Sequence, residues 1–262
     1  CQETFGNTGC TRMGVCGKWP ETARLMDELV AGLEELASEK STTTELGRFV
    51  THALFMTLTN ANFDDRRLRE ALEVCEGHLG HKPTHKTPRA FSDADADVRS
   101  LKELALFGLK GISAYAHHAA VLGREDETIY AFVFKALKAM GETLPADALT
   151  RLVLECGEAA AHSMALLDGA NTSAFGNPRV TTVSVGVGTH PGILVSGHDL
   201  RDLSDLLEQT RDRGVDVYTH GEMLPAHAYP AFHGYPHLKG NYGGAWYRQQ
   251  KEFATFNGAI LM

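Results

Sequence analysis

The spacing of apolar residues changes once along this chain, and the change divides it into two kinds of fold. From Pro20 to about Ala170 the period is helical: Pro20 suits a first helical turn, and Leu25, Leu29, Leu33 and Leu36 follow at intervals of 4, 4 and 3. Further stripes run through Leu68, Ala71, Leu72 and Cys75, through Leu101, Leu104, Ala105, Gly108 and Ile112, and through Leu149, Leu152, Val153, Cys156 and Ala160. Antiparallel helices packed as bundles bury such faces. The polar stretch from Gly77 to Asp97, with Pro83, Pro88 and three histidines, interrupts the helices as a surface connection.

Near Asn177-Pro178 the helical rhythm stops. Val183, Val185 and Val187 alternate with small residues, and Ile193-Leu194-Val195 reads as a strand that enters a turn at Ser196-Gly197-His198. Asp199 stands where an N-cap belongs, and Leu200, Leu203, Leu206 and Leu207 give the following helix one apolar face until Gly214. A second strand, Val215 to Tyr218, leads into Thr219-His220-Gly221-Glu222 and a further helix. Strand alternating with helix implies a parallel sheet with right-handed crossovers. The expected architecture is therefore multi-domain α and α/β. A cysteine loop with α-helical bundles occupies residues 1–178, and the first part of a Rossmann-like parallel α/β domain occupies residues 179–262.

Charge excludes some partners. The 262 residues carry 33 acidic against 25 basic side chains, a formal charge of −8, with no long block of Lys and Arg to attract a phosphate backbone. Nucleic acid is not expected as a partner. The apolar runs fall far short of the roughly 20 residues that cross a bilayer, and no basic segment precedes an apolar one at the start, so a soluble, cytoplasmic protein with no membrane partner is expected. The sequence begins at Cys1, and its final Ala259-Ile260-Leu261-Met262 read as a buried strand. A longer polypeptide is the expectation.

Three of the five cysteines, Cys1, Cys10 and Cys16, fall in the first sixteen residues among Gly6, Gly9, Gly14 and Gly17. Clustering and an odd total argue for a metal site over a disulfide framework. Thiolates with 8 and 5 residues between them, on a glycine-rich loop whose amides approach inorganic sulfur, match an iron–sulfur cluster. Zinc is the competing reading, although its usual close CxxC pairs are missing. Cys75 and Cys156 lie on apolar stripes as small core residues. The His117-His118 pair presents at most one ring to any helix face, and His227, His233 and His237 carry no assignment.

Loops that follow parallel strands open on one sheet edge, where ligands gather. His198 and Glu222 each fall just after a strand, 24 positions apart, so an imidazole and a carboxylate converge as part of a shell suited to iron or zinc. The competing reading makes Gly-His-Asp a helix-capping turn and Glu222 a first-turn carboxylate that complements the helix dipole. His220 would lie beside any metal held by Glu222, as a supporting or proton-donating residue.

Taken together, Cys1-Gln2-Glu3-Thr4, Gly9-Cys10-Thr11, Gly14-Val15-Cys16-Gly17-Lys18, Ser196-Gly197-His198-Asp199-Leu200, the string from Tyr218 through His220-Gly221-Glu222-Met223-Leu224-Pro225 to Ala226, and Gly240-Asn241-Tyr242-Gly243-Gly244-Ala245-Trp246 resemble the hybrid-cluster protein family, also called prismane proteins or hydroxylamine reductases. The resemblance spans both ends of the chain. Between about residue 40 and 175 it holds in character more than in wording.

The resemblance implies that Cys1, Cys10 and Cys16 correspond to the second, third and fourth cysteines of an N-terminal [4Fe-4S] motif, whose first member would precede Cys1. A related branch with wider gaps carries [2Fe-2S]. His198 and Glu222 match two ligands of the hybrid [4Fe-2O-2S] cluster, whose further cysteines, one persulfidated, and second glutamate belong to a C-terminal half. The implied reaction is reduction of a small nitrogen oxide, hydroxylamine or nitric oxide, with electrons from an external donor protein; its place beside Glu222 makes His220 the candidate proton donor. This stretch alone is expected to be inactive. A carbon monoxide dehydrogenase with a nickel–iron cluster, or a non-catalytic electron-transfer scaffold, are the alternatives.

Overall fold

Proline and capping side chains set where the helices begin. The computed structural model describes residues 9–14, 16–59 and 61–262, the side chain of Trp246 excepted. The chain divides into two compact units, Cys1–Leu167 and Asp168–Met262.

The first unit holds α1 (Pro20–Glu39), α2 (Thr44–Met56), α3 (Asp65–Leu79), α4 (Ala96–Val121), α5 (Glu127–Met140) and most of α6 (Ala146–Phe175). Pro20 opens α1, where its missing N–H costs nothing. Thr43, Asp64, Asp95 and Asp126 cap α2 to α5, each side-chain oxygen accepting a first-turn amide. Gly80, at φ +86, closes α3 in the left-handed region. Leu25, Leu29, Leu33 and Leu36 of α1 are all buried, as are Leu68, Ala71, Leu72 and Cys75 of α3. These faces meet because α1 packs on α3 and α5, while α2 packs on α4 and α5.

One contact joins two residues of the apolar stripes. A Cβ on Gly108 would stand 2.5 Å from Cys156 Sγ, so the sulfur occupies the space that a side chain on α4 would need. Leu104 departs from its expected place at 56% exposed. The buried face of α4 runs through Ala105, Leu106, Leu109, Ile112 and Ala116, about 100° per residue around from Leu104.

The connection from 80 to 95 is tied to α1 by two adjacent acids. Glu35 Oε2 accepts from the Thr84 amide and hydroxyl, both at 2.9 Å, and Glu34 Oε2 accepts from the Arg89 amide at 2.8 Å. Glu34 is buried, its Oε1 has no hydrogen-bond partner among the described residues, and burial pushes its carboxyl up to about 7. A raised carboxyl binds its proton more tightly folded than unfolded, so its contribution to stability falls as pH rises from about 4.5 towards 7. Urea unfolding of Glu34→Gln should show the wild type losing on the order of 3 kcal/mol against the variant between pH 4.5 and 8. A constant difference across that range would refute the assignment.

The second unit carries a four-stranded parallel sheet of β1 (Gly192–Ser196), β2 (Asp216–His220), β3 (Leu238–Tyr242) and β4 (Gly258–Leu261), in the order β3-β2-β1-β4. Helix α7 (Leu200–Thr210) links β1 to β2, and α8 (Gln249–Thr255) precedes β4. This is the α/β arrangement expected from the alternating pattern. The order reverses beside β1, the place where sheets of this kind hold ligands.

Four local expectations change. Residues 183–187 form no strand; Val185 and Val187 are exposed, and the segment meets β3 through the Asn241 amide donating to Ser184 O at 2.9 Å. Helix α7 ends at Thr210, four residues before Gly214, because Asp212 already takes a left-handed φ of +57. The segment after β2 is a 3-10 helix, Gly221–Ala228, since Pro225 inside it has no amide to extend an α-helix. Strand β4 is exposed throughout, for it lies at the sheet margin and pairs with β1 alone. No described helix is long and apolar enough to cross a membrane.

Candidate metal centres

At the carboxyl edge of the sheet, strand register decides which side chains meet. Ser196 of β1 lies opposite His220 of β2, an offset of 24 residues that holds along the pair. Two positions beyond those partners, His198 and Glu222 carry the same offset and emerge side by side. Gly197, at φ +136, and Gly221, at φ +54, make the turns that carry them out. The Asp199 side chain accepts the Arg201 amide at 2.7 Å and starts α7 at once, so His198 stays at the strand end.

His198 Nε2 and Glu222 Oε2 lie 3.7 Å apart, with the side chains 70% and 56% exposed. Two donor atoms each about 2.0–2.2 Å from one ion are separated by roughly 3–4 Å, so the pair fits a shared metal without rearrangement. Nitrogen and carboxylate donors suit iron or zinc better than calcium.

Behind this pair the support is buried. His220 is 1% exposed; its Nε2 lies 2.8 Å from Glu252 Oε2 and its Nδ1 3.1 Å from Ser196 Oγ. The bond from His220 holds the Glu252 carboxyl below its usual range, so the ring donates through Nε2 and, when neutral, receives the Ser196 hydroxyl at Nδ1. Glu252 also accepts the Gly244 amide at 3.1 Å. Gly243, at φ +77, has no room for a Cβ, which would stand 2.6 Å from Glu252 Oε2 and 2.8 Å from His220 Cδ2. The residues after β3 are thereby fastened to the ends of β1 and β2. Beside them Thr219 Oγ1 lies 2.9 Å from His227 Nε2 and 3.1 Å from Asn241 Oδ1.

At the other end of the chain, Cys10 and Cys16 are free thiols. A Cβ on Gly14 would meet both sulfurs, at 3.3 and 3.4 Å, so the two thiols converge over a backbone position kept bare. The loop is closed by the Gly14 amide donating to Lys18 O at 2.8 Å and the Gly17 amide donating to Gly14 O at 2.9 Å. Convergent thiols with no side chain between them suit an iron–sulfur cluster. Cys1 lies outside the described residues. Cys75 and Cys156 are buried, and burial pushes the Cys75 thiol up to about 12.

Ser196, His227, Asn241 and Glu252 were not singled out by sequence. Glu252 lies 32 positions from His220 on a helix of seven residues, too short for any period to mark it; the nearest signal is the Gly243-Gly244 pair, which allows its close approach. A third cluster, Glu35, Glu39 and His81, places its donor atoms within 4.8 Å of one another. There Glu35 already serves Thr84, and the other two side chains are exposed.

Removing the Glu252 carboxylate leaves His220 Nε2 and the Gly244 amide without their acceptor. Glu252→Ala should cost about 1–3 kcal/mol in urea unfolding. An unchanged midpoint would show that the network is not maintained in solution.

Comparison with known proteins identifies a family. A family model described as the Prismane/CO dehydrogenase family matches residues 1–262. Curated relatives include proteins named hydroxylamine reductase from Chlorobaculum tepidum, Halothermothrix orenii and Desulfovibrio desulfuricans, at 49%, 48% and 47% identity over the whole of this chain. The chain spans about half the length of these relatives, 54%, 55% and 54% respectively.

Proposed function

Because the chain belongs to the Prismane/CO dehydrogenase family, we propose that the protein is an iron–sulfur oxidoreductase that reduces hydroxylamine, with nitric oxide as a further substrate. The balanced reaction takes hydroxylamine with two electrons and two protons to ammonia and water. The observation that carries this reading is the 3.7 Å approach of His198 and Glu222 at the sheet edge. The names of the relatives support the substrate, and the free thiols support a reducing, cytoplasmic setting.

Cys10 and Cys16, with Cys1, would hold a [4Fe-4S] cluster that receives electrons from an external donor protein. His198 and Glu222 would contribute to the hybrid [4Fe-2O-2S] cluster, together with ligands other than these two. When bound, that cluster supplies an exchangeable iron for the N–O group and a store of electrons.

The chain's own residues have definite parts. The His198 imidazole is held at the strand end by the Asp199 cap. Glu222 presents an exposed carboxylate that can bind through one oxygen or two, on the turn made by Gly221. His220 anchors that turn, and any proton it exchanges passes through Ser196 or Glu252, its only ring-nitrogen partners among the described residues.

Iron and acid-labile sulfide should be found in the full-length protein isolated without oxygen, and Glu222→Gln should alter the cluster's electron paramagnetic spectrum and lower hydroxylamine turnover with an artificial donor at least tenfold. Unchanged spectra and turnover would remove Glu222 from the centre. Nickel alongside the iron would favour a carbon monoxide dehydrogenase, and a single cluster without turnover a non-catalytic scaffold.

A further inference from the structure

Two ammonium groups are buried where the cysteine loop meets the helices of the first unit. Lys18, two positions past Cys16, is 5% exposed, and Lys110, on α4, is 9% exposed. Lys18 Nζ donates to Leu58 O at 2.8 Å and lies 4.8 Å from the centre of the Phe63 ring. Lys110 Nζ donates to Thr57 O at 3.4 Å. Both therefore point at neighbouring carbonyls just past the C-terminal end of α2, where the helix dipole is negative.

Carbonyls solvate a buried ammonium but do not neutralise it, and a buried charge without an opposite charge is costly. Burial lowers Lys110 to about 8, and the nearby Lys18 adds to the cost of charging it. The carboxylate that faces Lys110 is Asp27 on α1, itself raised by burial despite that lysine. Among the described residues neither ammonium makes a close ion pair. Two buried ammonium groups thus sit at adjacent carbonyls, with one half-buried acid, Asp27, facing Lys110. The element that can bring an opposite charge here is the cysteine loop, whose Gly14 amide donates to Lys18 O and whose Cys10 and Cys16 sulfurs converge over Gly14.

We propose that Lys18 and Lys110 are counter-charges for an anionic iron–sulfur cluster held on the Cys10–Cys16 loop, that they raise its reduction potential, and that Asp27 offsets part of this effect. The inference rests on the cluster reading above. A positive charge in a poorly polarisable interior favours the cluster state with the added electron, and a negative one opposes it. Lys110 is distant in sequence from every cysteine of the motif, so its influence would act through space and not through the loop's conformation.

The test is a spectroscopically monitored redox titration of the full-length, cluster-loaded protein. Lys110→Met should move the midpoint potential of the N-terminal cluster to more negative values, Lys110→Arg should leave it near the wild type, and Asp27→Asn should move it to more positive values. A merely structural role would lower cluster content or the melting temperature without moving the potential in opposite directions. Should Lys110→Met fail to fold, the direction given by Asp27→Asn decides alone. Potentials that do not move, or that move the same way in both variants, overturn the proposal while the cluster stands. A wild-type protein that takes up no iron overturns the cluster reading and this proposal with it.

Discussion

The parallel pairing of β1 with β2 is the constraint on which the sheet-edge site depends. Its offset of 24 residues turns two side chains from separate loops into neighbours, because parallel strands end on the same edge and a fixed register carries past the last paired residue. A slip of one residue would exchange inward and outward side chains along the strand that moved and separate His198 from Glu222. Register is secured by burial, since all five residues of β2 and the last three of β1 are excluded from solvent. It is further secured by a polar link that joins the strand ends, Ser196 to His220.

The two exposed candidate ligands rest on a buried polar layer. His220, Glu252, Thr219, His227 and Asn241 exchange hydrogen bonds beneath a pair of side chains that reach solvent. Such layering is what a metal-binding edge requires, because ligands that must reach an ion need backbones that do not move. Glu252 has the largest part in it, tying the imidazole of one strand end to the amide that follows another.

Much of this was legible in the sequence, for physical reasons that also mark where legibility ended. The leucine stripe of α1 and the Asp199 cap announced themselves because burial and capping each demand particular residue types at fixed intervals. The separation of His198 and Glu222 equals one strand–helix–strand unit, so their convergence followed from topology. The alternating valines from 183 misled, because alternation indicates a half-buried surface only where a partner strand exists to cover it. The helix expected after Glu222 was pre-empted by Pro225, a residue whose effect on helices is known from sequence but whose tolerance in a tighter turn is not. The parts played by Glu252, Ser196 and the buried lysines were not legible, since each owes its significance to a neighbour far away along the chain.

The contact between Gly108 and Cys156 bears on how this chain meets oxidants. A sulfur seated against bare backbone on a facing helix cannot gain an oxygen atom or a glutathione group unless α4 and α6 part, and Cys75, which would stand 3.1 Å from a Cβ on Gly32, is similarly enclosed and kept in its unreactive protonated form.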